Sequence, residues 1–299
     1  MHIAVTGASG LIGTELLPHL VRGGHSIVRL VRRPGRGTEE VQWDPMAGDA
    51  SGIAPGALDG VDAVVHLAGA GVGDKRWTES YKALIRDSRV LGTRTLVSAM
   101  TTMAAPPAAF VSGSAVGYYG DRDEEVLTEE SSRGSGFLAD VVAAWEAEAV
   151  AAEAAGIRTV RLRTGLVMSD RGGAFGRLLK IFKLGGGGPI AGGRQWWPWI
   201  TLLDEVRAID FCLRSEIRGP VNLGSPSPRR NADVADALGR ALHRPAFVPV
   251  PGFALRVALG EFASDVTGSQ RMLPNALLAA GFAFTHTDID QACRWLVDR

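Results

Sequence analysis

Thiol chemistry has little to work with in this sequence. Cys212 and Cys293 are its only cysteines, and without Cys-x-x-Cys spacing they found neither a disulfide framework nor a thiolate metal site. A reducing compartment is expected, with the cytosol as the default. Charge of one sign is also missing: Lys+Arg 32 against Asp+Glu 32 leaves no net charge, hence no overall basic footprint for nucleic acid or an anionic membrane. A small, roughly neutral partner is the natural expectation. No run of about 18 apolar residues is present to span a bilayer, and a first strand opening at His2 leaves no room for a signal peptide. The six histidines form no His-Glu-x-x-His metal motif, there is no Gly-x-Ser-x-Gly nucleophile elbow, and no Gly-x-x-x-x-Gly-Lys-Ser/Thr phosphate loop or internal repeat occurs. What remains is ample for a core: 46% hydrophobic residues in a 299-residue chain suit one large α/β domain or a nucleotide domain with a smaller cap.

The most informative stretch lies at the start. A short apolar strand, His2-Ile3-Ala4-Val5-Thr6, runs directly into Gly7-Ala8-Ser9-Gly10-Leu11-Ile12-Gly13, a Gly-x-x-Gly-x-x-Gly turn. Such glycines serve a tight turn at Gly7, close approach of backbone to a pyrophosphate at Gly10, and helix-on-strand packing at Gly13. The free N–H groups and positive end of the following helix then face the phosphates, with Ser9, Leu11 and Ile12 in the same cradle. Leu16, Leu17, Leu20 and Val21 recur at helical spacing, and Gly23-Gly24 stops the helix, although Pro18 inside it predicts a kink. A second strand, Ser26 to Val31, completes the start of a βαβ unit.

That strand ends in Arg32-Arg33, where an NAD site usually places an acid about 20 residues past the glycines to bond the ribose 2′-OH. The two guanidinium groups favour NADP(H) instead, by offering forks to a 2′-phosphate. The alternative is that both are simply solvated. Val41-Gln42-Trp43 reads as a short extended piece. Ala63 to Leu67 reads as a buried strand whose end, Ala68-Gly69, lets backbone lie against a ligand. His66, inside that strand, reads as a core residue rather than a catalyst. Thr78 caps a helix running to about Met100, with Arg86 and Arg89 beside its apolar stripe, where snorkelling is the simplest reading.

Phe110-Val111 opens a strand that ends in Ser112-Gly113-Ser114-Ala115-Val116-Gly117-Tyr118-Tyr119, placing hydroxyls where α/β sheets do their chemistry. A helix follows from Gly136 to Ala155, then a strand from Thr159 to Arg163, and a helix from Ala174 to Leu184 with Arg177, Lys180 and Lys183 on a solvated face. Gly185 to Trp199, rich in glycine and tryptophan, reads either as a mobile flap over an apolar substrate or as a packed loop. Asp204 and Asn231 are candidate caps of two further helices, Val221 to Leu223 is a short strand, and the tail from Val248 is largely helical.

Several motifs in register give a resemblance over nearly the whole chain: Thr6 to Gly13, Leu67-Ala68-Gly69, Lys75-Arg76-Trp77, Ser88-Arg89, Gly117-Tyr118-Tyr119-Gly120, Trp145-Glu146, Arg163-Thr164-Gly165, Gly186 to Ile200, and Pro274 with Gly281-Phe282. The sequence resembles the extended short-chain dehydrogenase/reductase superfamily, and within it the atypical epimerase-family proteins related to nucleoside-diphosphate-sugar epimerases. The resemblance implies a doubly wound α/β Rossmann fold with a seven-stranded parallel sheet. It assigns residues 1–165 to NADP(H) binding, with 199–224 completing the sheet, and 166–198 with 225–299 to a smaller α/β carboxyl-terminal substrate domain. It also implies NADP(H) as cofactor, Arg32 at the 2′-phosphate, Leu67, Ala68 and Arg89 near the cofactor, and Ser114 at the position of the superfamily's catalytic serine or threonine.

Two departures stand out. Relatives usually carry Ile-His-Ile-Asp-Asp where this chain reads Ile200-Thr201-Leu202-Leu203-Asp204-Glu205. The superfamily's Tyr-x-x-x-Lys pair falls on Phe137 and Val141, or, shifted by one, on Leu138 and Val142, none of which can give up a proton. The nearest candidate replacements are Ser114 and, just beyond it, Tyr118 or Tyr119; the alternative is that these phenols pack and Ser114 caps a turn. Three classes of function stay open at this point: an NADP(H)-dependent oxidoreductase or epimerase on a small carbonyl or sugar-nucleotide substrate, an NADPH holder or redox sensor without turnover, and an interaction protein on a Rossmann scaffold.

Overall fold

The computed structural model describes all 299 residues. In chain order the elements are β1 (His2–Thr6), α1 (Gly13–Arg22), β2 (Ser26–Val31), β3 (Glu40–Gln42), β4 (Ala63–His66), α2 (Glu79–Thr101), β5 (Ala109–Ala115), β6 (Val126–Leu127) and α3 (Phe137–Val150). The second half continues with β7 (Arg158–Thr164), β8 (Leu166–Met168), α4 (Gly173–Lys183), β9 (Trp196–Trp197), β10 (Trp199–Thr201), α5 (Leu202–Arg214) and β11 (Gly219–Leu223). It closes with β12 (Arg229–Arg230), α6 (Asn231–Leu242), α7 (Gly252–Leu259), α8 (Ala263–Thr267), β13 (Arg271–Met272), α9 (Asn275–Ala279) and α10 (Ile289–Val297).

Seven strands form one parallel sheet in the order β11-β7-β5-β4-β1-β2-β3. The order reverses between β1 and β4, and in such sheets the crevice at that reversal, outside the carboxyl ends of the strands, is where ligands bind. Strands covered on both faces need side chains that are apolar throughout, and Ile3, Ala4, Val5, Val64 and Val65 are fully buried. One face packs Leu16 and Leu20 of α1 with Leu202, Val206 and Ile209 of α5. The other packs Leu96 and Met100 of α2 with Ala149 at the end of α3. α1 continues through Pro18 to Arg22. Thr78 caps α2 by accepting from Tyr81 N at 3.2 Å.

A second core lies outside the sheet, where Phe175, Leu179 and Phe182 of α4 meet Trp197, Trp199, Val234, Leu238 and Leu296. It settles the Gly185 to Trp199 stretch as a packed loop rather than a free flap. Ala191 N donates to Val250 O, Val248 N to Gly187 O and Ile190 N to Asn231 Oδ1, while Cβ atoms on Gly187 or Gly188 would collide with Phe182 or Val248. Asn231 therefore spends its side chain on a distant amide instead of capping α6. The cap of α5 is likewise Thr201, which accepts from Asp204 N, whereas Asp204 is buried and accepts from the backbone N–H groups of Thr285 and His286 at 2.9 Å each. Next to it, buried Glu205 accepts from Thr164 Oγ1 at 2.9 Å through one oxygen and leaves the other without a partner.

The two cores are stitched together behind β5. β6 pairs in parallel with β13, Arg122 N donates to Ser269 O, Ser269 N to Asp121 Oδ1, and Trp196 Nε1 to Glu124 Oε2. No helix is long and apolar enough to cross a membrane.

Candidate active site

β1 delivers the chain to the glycine turn at the centre of the sheet. Gly7 has φ +68°, the left-handed region that glycine enters without strain, and a Cβ there would lie 2.7 Å from the Leu67 carbonyl carbon. A Cβ on Gly13 would lie 2.3 Å from Gly7 O, so α1 can begin this close to the turn only with glycine at that place. Gly10 and Ser9 are exposed between them, and no side chain caps the N-terminus of α1. Thr14 N and Glu15 N already donate to Gly10 O and Ile12 O, which leaves the amides of Leu11, Ile12 and Gly13 for an anion. Leu11 reaches across to Gly172 and Gly173, which brings the start of α4 over the turn.

Thr6 ties this turn to the end of β4. Its Oγ1 accepts from Leu67 N and Ala68 N, both at 3.2 Å, and bonds His66 Nδ1 at 2.7 Å. His66 is buried against Trp43, Phe110 and Trp145, and burial, aided by the nearby charge of Arg89, holds its pKa down to about 3. It is a neutral core residue, with Nε2 unpartnered.

Arg89 is the most unusual charge in the crevice. It comes off α2, donates through Nη1 to Ala70 O (2.9 Å) and Ile85 O (3.0 Å), and lies across the Trp145 ring at 5.3 Å. A Cβ on Gly69 would approach its Cζ to 3.2 Å, so the absence of a side chain at Gly69 leaves the guanidinium its place. No carboxylate pairs with it, and burial pulls its pKa down to about 10. Arg86, by contrast, is exposed and pairs with its neighbour Asp87 at 2.8 Å.

The two arginines after β2 part company. Arg33 makes a fork with Glu40, at 2.6 and 2.8 Å, and Glu40 also binds Arg29 at 2.9 Å; chiefly through Arg33 the carboxyl is held down to about 2. The Arg33 fork expected at a 2′-phosphate is thus occupied by Glu40. Register between β2 and β3 sets Glu40 opposite Arg29, and Arg33, just past the end of β2, reaches the same carboxylate through a charge-assisted fork that commits its donors. Arg32 is exposed and has no carboxylate partner.

The candidate proton donors differ in what their hydroxyls meet. Ser114 is buried and donates to Glu146 Oε1 at 2.6 Å, and Glu146 is gripped by Arg163 through bonds of 2.8 and 2.9 Å. Its hydroxyl is therefore spent on an internal network. Tyr119 is fully buried, its one hydroxyl proton lies between two acceptors, Asn222 Oδ1 at 2.7 Å and Thr128 O at 2.9 Å, and burial raises its pKa. Tyr118 is half-buried with its ring 3.5 Å from Arg163 Cζ, and its hydroxyl bonds no protein group. Across from this strand end, Leu138 and Val142 face Gly117, while Phe137 stacks edge-on against Trp77 at 4.9 Å and Val141 joins the Trp77 cluster. The register that brings residues toward the strand end is therefore Leu138 and Val142. The Glu146–Arg163 pair was visible beforehand only as two motif fragments, because their spacing of 17 residues crosses from a helix to a strand.

The model of the NAD-dependent epimerase/dehydratase family matches residues 3–224. This chain belongs to that family. A domain of unknown function, DUF1731, matches residues 250–296. The epimerase family protein Mb2239 of Mycobacterium bovis is 40% identical over 299 residues, covering 99% of this chain and 98% of that one. A crystal structure of the human epimerase family protein SDR39U1, isoform 2, with NADPH superimposes with a TM-score of 0.90 at 31% identity, covering 100% and 99% of the two chains. The nucleoside-diphosphate sugar epimerase of Corynebacterium glutamicum gives a TM-score of 0.79 at 34% identity, with this chain covering 58% of that longer one. The family member described here thus pairs a seven-stranded Rossmann sheet with the family's carboxyl-terminal segment.

Proposed function

We propose that the chain binds NADP(H) across the Gly7 to Gly13 turn and acts as a slow, narrow reductase on a small carbonyl or sugar-nucleotide substrate. The observation that carries the cofactor reading is Arg89: a guanidinium withdrawn from water without a counter-charge costs stability unless an anion completes it. A dinucleotide laid along Gly69 would supply that negative charge, and Arg32 is free to meet a 2′-phosphate. Human SDR39U1, so similar along its whole length, was crystallised with NADPH.

NADPH, when bound, supplies a hydride to an acceptor carbon. The protein must then deliver a proton to the oxygen left behind, and here the site is poor. Leu138 and Val142 carry none, Ser114 gives its hydroxyl to Glu146, and Tyr119 gives its hydroxyl to Asn222 and Thr128. Tyr118 is the hydroxyl at this strand end with no protein partner. General acid catalysis is worth about 10²–10⁴ in rate, so reduction without a well-placed donor is slow by that order. The committed Ser114 hydroxyl also favours a second reading, in which the chain holds NADPH without turnover. NADPH oxidation assayed across aldehydes, ketones and keto-sugars separates the two. Slow turnover that falls further in Tyr118→Phe supports the reductase, its absence with intact NADPH binding supports the holder, and brisk turnover surviving Tyr118→Phe and Ser114→Ala refutes the assignment of the donor. Loss of NADPH binding in Arg89→Met, with thermal stability of the unliganded protein kept or raised, tests the cofactor reading itself.

A further inference from the structure

A zero net charge conceals a strong segregation. Between Asp170 and Asp204 the sequence has no acidic residue but carries Arg171, Arg177, Lys180, Lys183 and Arg194, and between Asp236 and Glu261 it again has none but carries Arg240, Arg244 and Arg256. The two stretches run side by side in the fold: Ile190 bridges Val250, Val248 N donates to Gly187 O, and Gly252 packs against Ala191. Arg171, Arg177 and Arg240 pair with carboxylates from elsewhere, Glu15, Asp74 and Asp290, whereas Lys180, Lys183, Arg244 and Arg256 pair with none.

The same two stretches hold the most exposed large apolar side chains of the molecule. Leu184 is 89% exposed, Phe247 75%, Val257 73% and Phe253 72%, with Ile181 at 47%. Lone exposed apolar residues are ordinary, but several gathered at one place mark a surface that something covers. α7 makes the point sharply. Its sequence, Gly-Phe-Ala-Leu-Arg-Val-Ala-Leu, is apolar at nearly every position, yet none of its residues is buried. Phe253 and Val257, four apart, project from one side of it, and Lys180, Ile181 and Leu184 share one side of α4. Protruding apolar side chains set among unpaired cations are the chemistry of a segment that lies in a lipid interface, apolar groups among acyl chains and cations at anionic headgroups.

We propose that the face formed by the end of α4, residues 247–250 and α7 docks the protein on an anionic membrane surface, with Phe253, Val257, Phe247 and Leu184 inserted and Lys180, Lys183 and Arg256 at the headgroups. This proposal is independent of the reaction assigned above. Attachment is peripheral, since no helix can span the bilayer.

Co-sedimentation of the full chain with vesicles tests it, using phosphatidylcholine alone and phosphatidylcholine mixed with phosphatidylglycerol. Binding to the mixed vesicles only, weakened by salt, is expected. Lys180→Gln and Lys183→Gln should each lower partitioning about fivefold. Phe253→Ser with Val257→Ser should lower it tenfold or more, while far-UV circular dichroism, thermal unfolding and NADPH affinity stay unchanged, since these side chains hold nothing in the core. No sedimentation with the mixed vesicles overturns the proposal, as does equal binding to both vesicle types. A wild-type dimer by sedimentation velocity that the Phe253→Ser, Val257→Ser variant converts to monomer, with vesicles ignored by both, assigns the face to a second copy of the chain and likewise overturns it.

Discussion

Replacing Glu205 with glutamine isolates one buried charge and should tilt the pH dependence of stability. In the folded protein its carboxyl sits wholly in the apolar layer between β7 and α5, with a single hydrogen bond from Thr164, and desolvation pushes its pKa up to about 8 from an ordinary 4.5. The folded state therefore holds its proton after the unfolded chain has released it. Stability from this group is complete below the unfolded pKa and is lost as pH rises from about 4.5 through about 8. Each pH unit well inside that window costs about 1.4 kcal/mol and less near its two ends, so the wild type should lose about 3–4 kcal/mol between pH 5 and pH 8 relative to a variant that cannot ionise. Glutamine keeps an oxygen for Thr164, and any penalty from its amide is the same at every pH. The wild-type curve alone would mislead, because His66, held near 3, works in the opposite sense: its stability is present above 6.5 and is lost as pH falls from there toward 3. The difference between wild type and Glu205→Gln removes that contribution. Urea unfolding at several pH values gives it directly, and two parallel curves would refute the claim that Glu205 folds as a neutral acid.

Three further outcomes follow from the crevice. Calorimetric titration should find NADPH bound more tightly than NADH by about tenfold to a hundredfold, the worth of a charge-assisted contact of about 1.5–3 kcal/mol. Arg32→Ala should erase that preference and Arg33→Ala, which breaks the Glu40 fork, should erase much less of it. Gly13→Ala sets a methyl 2.3 Å from Gly7 O, so it should lower the melting temperature and weaken NADPH together, whereas Gly24→Ala, with open space around it but φ +81°, should lower stability alone. Amide hydrogen exchange across 187–197 should already be slow without ligand, because this loop is bonded to 248–250 and packed on Phe182; exchange as fast as in an exposed loop would contradict the packing.

Local signals in the sequence carried far. The strand, glycine turn and helix at the start are written in adjacent residues, as are the Thr78 cap and the boundaries of β2, and these emerge where they were expected. What escaped was whatever depended on a partner far along the chain. Asp204 and Asn231 both have capping chemistry, but Thr285, His286 and Ile190 claim their side chains, and none of those partners is near them in sequence. Glycines at 185–193 read as freedom, yet their missing side chains make room for Phe182, Val248 and Ala232. Arg33 looked available because Glu40 lies in another strand. Arg89 is the converse case: composition shows an arginine, and only the fold reveals that no acid comes to meet it.

The position of β11 shapes how the chain can be made. Strands β1 to β7 are complete by Thr164, but the sheet receives its last strand only with Gly219–Leu223, after β8, α4 and α5 have been synthesised. At about 5–20 residues per second, the ribosome takes several seconds over that interval, during which β7 is an open edge with unpaired amides. Its sequence, Arg-Thr-Val-Arg-Leu-Arg-Thr, places Arg158, Arg161 and Arg163 along it. In the finished protein Arg158 binds the carbonyls of Cys212, Leu213 and Ile217, and Arg163 grips Glu146, so both are fully used. Glu146 precedes β7 in the chain and already meets Arg161 and Arg163, but Arg158 has none of its carbonyl partners until α5 and residue 217 are made, and its charge leaves this edge a poorer template for another nascent chain. The strand that waits longest for its neighbour thus waits with a cation at its start.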